Sequence, residues 1–238
     1  MSYKRILIKI SGEVLSGDQD GGWDVEVIKS IAEKIKSAKL KFNDLQIAVV
    51  VGAGNLARGA QLSLSGINRV DGDYTGMLGT VMNSIVVSDV FKSSSLDARA
   101  LSTINVPSAI DDYTPRRAVS HLEKNRVVII GGGTSRPYMT TDSAAVLAAL
   151  ELNCDAVFKA TKVPGVFEED PAKNPYANKL NDLSLDQALA MPDIKVMDKS
   201  AIGMAAEMKM PIIVFKLDEP DSVVEALNHN FNICTVVS

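Results

Sequence analysis

Four stretches of this chain combine residue types that handle phosphate. In Lys9-Ile10-Ser11-Gly12, an ammonium sits near the end of an otherwise apolar run, Arg5–Ile10. Such a charge is costly inside a sheet unless a partner or ligand meets it, so Lys9 either points off the sheet edge or touches a transferred phosphate. In the second, the apolar run Ile47–Val51 leads into Gly52-Ala53-Gly54-Asn55, with Arg58 just beyond. A glycine turn after a strand lets backbone N–H groups approach an anion, and an arginine adds a forked cation suited to phosphate oxygens. The third is Gly131-Gly132-Gly133-Thr134-Ser135-Arg136-Pro137-Tyr138-Met139-Thr140-Thr141-Asp142. It offers three glycines for close approach, two threonines at a helix start, and an acid that either complements the helix dipole or orients a lysine or metal. In the fourth, Lys159-Ala160-Thr161-Lys162 is followed by Phe167 and Asp170, a pattern able to hold a nucleotide and stack its base.

Each signal has a competing reading. Gly52–Ala57 also fits G-x-G-x-x-A, the dinucleotide fingerprint, but Asp71 and Asp73 are expected in a Gly-containing turn that precedes a helix rather than at the end of a following strand. A nicotinamide-binding dehydrogenase is therefore the rival enzyme class, and a catalytically silent nucleotide sensor is a third. No G-x-x-x-x-G-K-[ST], H-R-D or D-F-G set occurs, which removes the P-loop and protein-kinase routes to phosphoryl transfer. Two cysteines far from each other, and two histidines likewise, give little material for a Ser-His-Asp triad, a zinc site or a disulfide framework.

These turns need a scaffold, and the chain supplies one. It has 238 residues, 46% of them hydrophobic, and a net charge of -4, which argues against a nucleic-acid-coating protein. No apolar run approaches the roughly 20 residues that span a bilayer, and the N-terminus has no signal-peptide pattern. The expectation is a cytoplasmic protein without membrane partners.

Near-continuous apolar strands alternate with amphipathic stretches. Strands are expected at Arg5–Ile10, Gln46–Val51, 98–101, 126–130, 156–159, 212–215 and 234–237. Helices are expected after Asp24, over about 73–91, from Thr114-Pro115, from Thr141, near 184–190 and 198–209, and over 222–228. This order implies an α/β fold with a mainly parallel central sheet sandwiched by helices. One domain with two lobes, divided near residue 150, is the expected organisation. In such sheets ligands bind beyond the carboxyl ends of the strands, and several converging phosphate turns there suit two phosphorylated ligands.

The segments KISGE, VGAGNLARG, GINRVDGDYTGMLGTVMN, TTDSAA, KATKVPGVFEEDP and KVMD resemble, in order and over nearly the whole chain, the bacterial uridylate kinases of the amino acid kinase superfamily. The resemblance implies the three-layer fold of that superfamily, transfer of the ATP γ-phosphoryl group to UMP with Mg²⁺, and a homohexamer built of dimers. It places Lys9, Ile10, Ser11, Gly12, Gly54, Arg58, Thr161, Phe167, Asp170 and Lys195 at the ATP side. Ala53, Asp73, Thr134, Ser135, Arg136, Pro137, Tyr138, Met139, Thr140 and Thr141 fall at the UMP side. Lys9, Arg58 and Asp142 carry catalysis, Asp142 as the acid that organises the catalytic lysines. No protein metal ligands are implied.

This sequence departs from the family pattern at three places. Ala53 replaces a central glycine, Pro164 an aspartate, and Arg136 and Met139 an asparagine and an aromatic. Many members are GTP-activated and UTP-inhibited. Here Arg99 is kept, while Ser88 and Lys92 stand where others often have arginine and histidine.

Overall fold

The computed structural model describes residues 3–57, 64–191 and 196–238. Its centre is a nine-stranded sheet in the order β4-β3-β5-β2-β1-β6-β10-β11-β9. The strands are β1 (Arg5–Ile10), β2 (Gln46–Val51), β3 (Ala98–Ser102), β4 (Asp111–Asp112), β5 (Val127–Gly131), β6 (Ala156–Thr161), β9 (Asp182–Leu183), β10 (Ile212–Lys216) and β11 (Cys234–Val237). Every neighbouring pair is parallel except β10 with β11. A separate two-stranded hairpin, β7 (Val166–Phe167) and β8 (Lys179–Leu180), stands outside the main sheet.

Alternation along the central strands explains why helices cover both faces. Ile6, Ile8 and Ile10 enter one core with α2 (Val25–Lys41), α3 (Arg69–Ser93) and α8 (Ser222–Leu227). Leu7, Val128 and Val157 enter the other with α4 (Pro115–Leu122), α5 (Thr141–Glu151) and α7 (Lys199–Glu207). Strands buried on both faces must be apolar throughout, and β1, β2, β5 and β6 are. The short α1 (Gly12–Leu15) and α6 (Leu185–Ala190) complete the helices of the described residues.

Helix starts follow the expected capping chemistry. Asp24, Thr114 and Thr140 each accept backbone N–H groups of the first turn of α2, α4 and α5, and Pro115 sits at the first position of α4. Among the helix starts, the largest difference from the sequence expectation is at α3. Helix α3 begins at Arg69, earlier than position 73, because Asn68 caps it by accepting from Val70 N. The Gly72 inside that first turn conceals the periodicity.

Four adjacent strands, β5-β2-β1-β6, end at one edge of the sheet. From that edge depart Gly132, Gly52, Ser11 and the segment after Thr161, so all four phosphate-type turns are brought together by strand order alone.

Candidate active site

Lys9 on β1 and Lys159 on β6 are register partners, so both side chains leave the sheet on the same face. Asp142, in the first turn of α5, meets both. Its Oδ1 lies 2.9 Å from Lys9 Nζ, and its Oδ2 accepts from Lys159 Nζ at 3.1 Å. The Lys9 contact is an ion pair off the hydrogen-bonding direction, leaving Oδ1 without a hydrogen-bond donor. All three side chains are largely buried, with 11%, 13% and 17% of Lys9, Asp142 and Lys159 exposed. Burial raises the Asp142 carboxyl, but the Lys159 and Lys9 ammonium groups outweigh it and hold Asp142 below the ordinary carboxylate range. Burial also pulls Lys159 below an ordinary lysine, only partly offset by Asp142. Lys159 Nζ further donates to Val196 O at 2.7 Å.

The fold fixes Asp142 through its neighbours. Thr140 caps α5 while its hydroxyl donates to Asp198 Oδ2. Asp198 also accepts from Ser143 Oγ at 3.2 Å and caps α7 through Ala201 N. The starts of α5 and α7 are thereby joined beside the lysine–carboxylate cluster.

A cavity of about 370 Å³ opens next to this cluster, lined by Ser11, Gly12, Gly52, Ala53, Gly54, Arg69, Asp73, Met77, Met139, Thr140 and Thr141, among others. Its wall is tight at Gly12. A Cβ there would lie 2.4 Å from Gly54 N and 2.7 Å from Gly52 O, so only glycine allows the first and second turns to touch. Ala53, which replaces the central glycine of the family pattern, faces a glycine: a Cβ on Gly79 of α3 would lie 3.0 Å from the Ala53 methyl. The methyl packs onto a glycine of the helix.

Asp73 on this wall is already engaged. Its carboxylate accepts Arg69 Nε on both oxygens, at 2.9 and 2.8 Å, and Tyr138 N at 2.8 Å. Arg69 also lies 5.5 Å over the Tyr138 ring. Asp73 thus ties the 133–141 loop to α3, while Ser135 and Tyr138 hold positive φ of 54° and 66°, a conformation that costs non-glycine residues energy.

The sequence-expected residues separate into groups. Ser11, Gly12, Ala53, Gly54, Asp73, Met139, Thr140 and Thr141 share the cavity just described. Thr134 and Ser135 instead line an adjoining cavity of about 290 Å³ with Thr103, Tyr113 and Glu151. Arg136, Pro137 and Tyr138 form the outer rim of the loop. The Ile10 side chain is fully buried, and only its carbonyl serves the site by accepting from Gly52 N at 2.9 Å. The Thr161 hydroxyl donates within the protein, to Val163 O at 2.7 Å and Phe215 O at 3.1 Å. Phe167 and Asp170 line a separate cavity of about 200 Å³ with Val163, Val166 and Pro171. Arg58 and Lys195 lie outside the described residues.

Three residues that brace this region stand outside the sequence-expected site: Asp198, Asn83, which donates to Gly52 O at 2.7 Å, and Trp23, which donates to Asn83 Oδ1 at 2.7 Å. The sequence marks Lys159 as a basic residue at a strand end, but its pairing with Asp142 depends on the β1–β6 register. An asparagine inside the apolar stripe of α3 was the available signal for Asn83. The dinucleotide alternative loses its geometry here, because Asp71 and Asp73 occupy the first turns of α3 rather than the end of a strand beside β2.

A model of the amino acid kinase family matches residues 4–216. The chain is 42% identical over 238 residues to the uridylate kinase of Helicobacter hepaticus, covering all of both chains. It is 43% identical over 236 residues to that of Rickettsia typhi, covering 99% of this chain and 96% of the relative. Among solved structures, UMP kinase from Bacillus anthracis superposes with a TM-score of 0.91 at 33% identity, covering 100% of this chain and 97% of the other. UMP kinase from Ureaplasma parvum gives 0.90 at 30% identity, covering all of both chains. The family model and the full-length likeness agree: this chain belongs to the amino acid kinase family, among its uridylate kinases.

Proposed function

We propose that the chain transfers the γ-phosphoryl group of ATP to UMP, giving UDP and ADP, in pyrimidine nucleotide synthesis. The observation that carries this reading is the Lys9–Asp142–Lys159 cluster at the strand ends from which the linings of both cavities depart. The larger cavity takes UMP and the smaller, beside Phe167 and Asp170, takes the ATP base and ribose. On this reading the acceptor lobe runs to about residue 150 and the donor lobe follows it, within one kinase domain.

The reaction is a single in-line displacement. A UMP phosphate oxygen attacks the γ-phosphorus while its bond to the β–γ bridging oxygen breaks, and ADP leaves. No enzyme nucleophile is required, and catalysis consists of positioning and charge neutralisation. Lys9 and Lys159 place two positive charges beside the migrating group, and Asp142 keeps both lysines in place. The backbone amides of Gly12, Ala53 and Gly54 supply donors where negative charge accumulates. Arg58 and Lys195 are proposed as further phosphate cations, Thr161 as a support of the donor loop, and residues 134–141 as the clasp over UMP.

Among the described residues, no group of three or more His, Cys, Asp or Glu side chains is placed to hold a metal. Asp142, the carboxylate of the cluster, has an ammonium on each oxygen. These residues do not build a magnesium cage. We propose magnesium as a companion of ATP, carried on its phosphates with a water shell, as this ion is commonly bound.

We also propose a homohexamer built of dimers. The exposed apolar stripe Tyr74, Leu78, Met82 and Ile85 on α3 supports a face that a second copy would cover. We propose a cytoplasmic location as well; no helix among the described residues is long and apolar enough to cross a membrane.

The deciding experiment follows ADP release from Mg-ATP with UMP, CMP, dUMP, aspartate and N-acetylglutamate offered separately. UMP is expected to give the fastest release. Release with an amino acid and none with UMP overturns the reading.

A further inference from the structure

We propose that Asn83 and Trp23, which line neither nucleotide cavity, are positioning residues that aim the backbone amides of the Gly52–Asn55 turn at phosphate. The inference rests on the kinase reading above and names a part of that site.

Asn83 is fully buried in the middle of α3. Its Nδ2 donates to Gly52 O at 2.7 Å and to Asn55 Oδ1 at 2.7 Å. Its Oδ1 accepts from Trp23 Nε1 at 2.7 Å and from Asn55 Nδ2 at 3.1 Å. Asn55 Nδ2 also donates to Gly22 O at 2.7 Å, and Gly22 N returns a bond to Asn55 O at 3.1 Å. The network joins three segments distant in sequence: the loop before α2, the glycine turn after β2, and α3. A buried amide network with both partners satisfied specifies one arrangement and penalises others.

The direction of this chain of bonds matters. An indole N–H only donates, and an amide presents a donor on one side and an acceptor on the other. Trp23 therefore fixes which way Asn83 faces: Oδ1 toward the indole, Nδ2 toward the Gly52 carbonyl. The peptide unit is planar and trans, so its C=O and N–H point in opposite directions. Holding the Gly52 carbonyl fixes the plane of the Gly52–Ala53 peptide and with it the direction of the Ala53 N–H. The amides of Ala53 and Gly54 have no partner among the described residues, and both residues line the acceptor cavity. Glycine turns rotate freely unless held, and Asn83 is the side chain that holds this one.

The test compares wild type with Asn83→Leu, Trp23→Phe and the double variant, reading kcat and KM for UMP and ATP, with kcat expressed per UMP-binding site. A merely structural role lowers the melting temperature and the number of binding sites but leaves turnover per site unchanged. The expected result for Asn83→Leu is a fall in kcat per site of about tenfold or more, with both KM values within about threefold, since misaimed donors act on transition-state charge. Trp23→Phe is expected to lose less, and the double variant no more than Asn83→Leu, because Trp23 acts through Asn83. Full turnover per site in Asn83→Leu, or losses that multiply in the double variant, overturns the proposal. If Asn83→Leu does not fold, Trp23→Phe decides alone, and unchanged turnover per site there overturns it. Wild type that makes no ADP with UMP would instead overturn the kinase reading itself.

Discussion

The walls proposed for the two nucleotides are built in opposite ways. The acceptor wall rests on central strand ends and on the 25-residue helix α3, with Asn83 and Asp73 bonding its turns from inside the fold. The donor wall is a hairpin of two-residue strands in a polar segment. It is held from the far end of the chain. Thr235, fully buried on β11, accepts from Val166 N at 2.9 Å and donates to Leu180 O. Lys179 Nζ donates to Phe231 O at 2.6 Å and Cys234 O at 2.8 Å. The proposed acceptor site is thus shaped by local turns on rigid elements, and the proposed donor site by tertiary pins on a weak local element. On that proposal, phosphate geometry demands the first, while a base and ribose tolerate the second.

The largest expected effect breaks what both walls share. Lys9→Ala should lower kcat by about a hundredfold or more in the ADP-release assay, by analogy with removal of one charge-stabilising donor. Folding stability should change far less, because Lys159 still neutralises Asp142, and thermal unfolding checks this. Equal losses of turnover and of folded protein would reduce Lys9 to a structural charge.

Next comes the acceptor wall. Gly79→Ala sets a new methyl 3.0 Å from the Ala53 methyl and should raise KM for UMP several-fold, with KM for ATP unmoved. Adding Ala53→Gly should restore it, because the methyl has only changed sides. A double variant as poor as Gly79→Ala alone would mean that the contact is not what the substitution disturbs.

Thr235→Val tests the donor wall. It removes one bond to Val166 N and one to Leu180 O, a local cost of about 1–3 kcal/mol. KM for ATP should rise while KM for UMP stays. Movement of both together would erase the distinction between the walls.

The smallest effect is in pH. Lys159 titrates below 10.5 in the folded protein, so kcat should decline as pH rises through that lowered value, and Lys159→Arg should move the decline upward. Stability runs the other way in the same window. Between the lowered folded value and the unfolded 10.5, the unfolded chain binds more protons, so this group's contribution makes stability rise with pH. Asp142, held below 3.8 when folded, contributes stability that is lost as pH falls below that value. Activity and stability curves measured together from pH 8 to about 10.5 separate Lys159 from groups that affect both alike.

Much of this was legible in the sequence. Strand runs, capping residues and the glycine turns are local signals, and each reflects the backbone conformation or burial of its own segment. Strand ends carrying Lys9, Gly52, Gly131 and Lys159 could be read as one ligand edge because parallel α/β sheets admit few arrangements. What remained hidden depends on distance in sequence. Asp142 between Lys9 and Lys159 required the β1–β6 register. The fit of Ala53 required Gly79 opposite it. Nothing local marks Trp23 or Thr235, and only the fold sets them against Asn83 and the hairpin of β7 and β8. Sequence alone determined which segments form strands and the glycine turns that follow them, because turn and strand preferences are written locally. Only the tertiary structure decided which way their amides and ammonium groups face, because side chains many residues away set those directions.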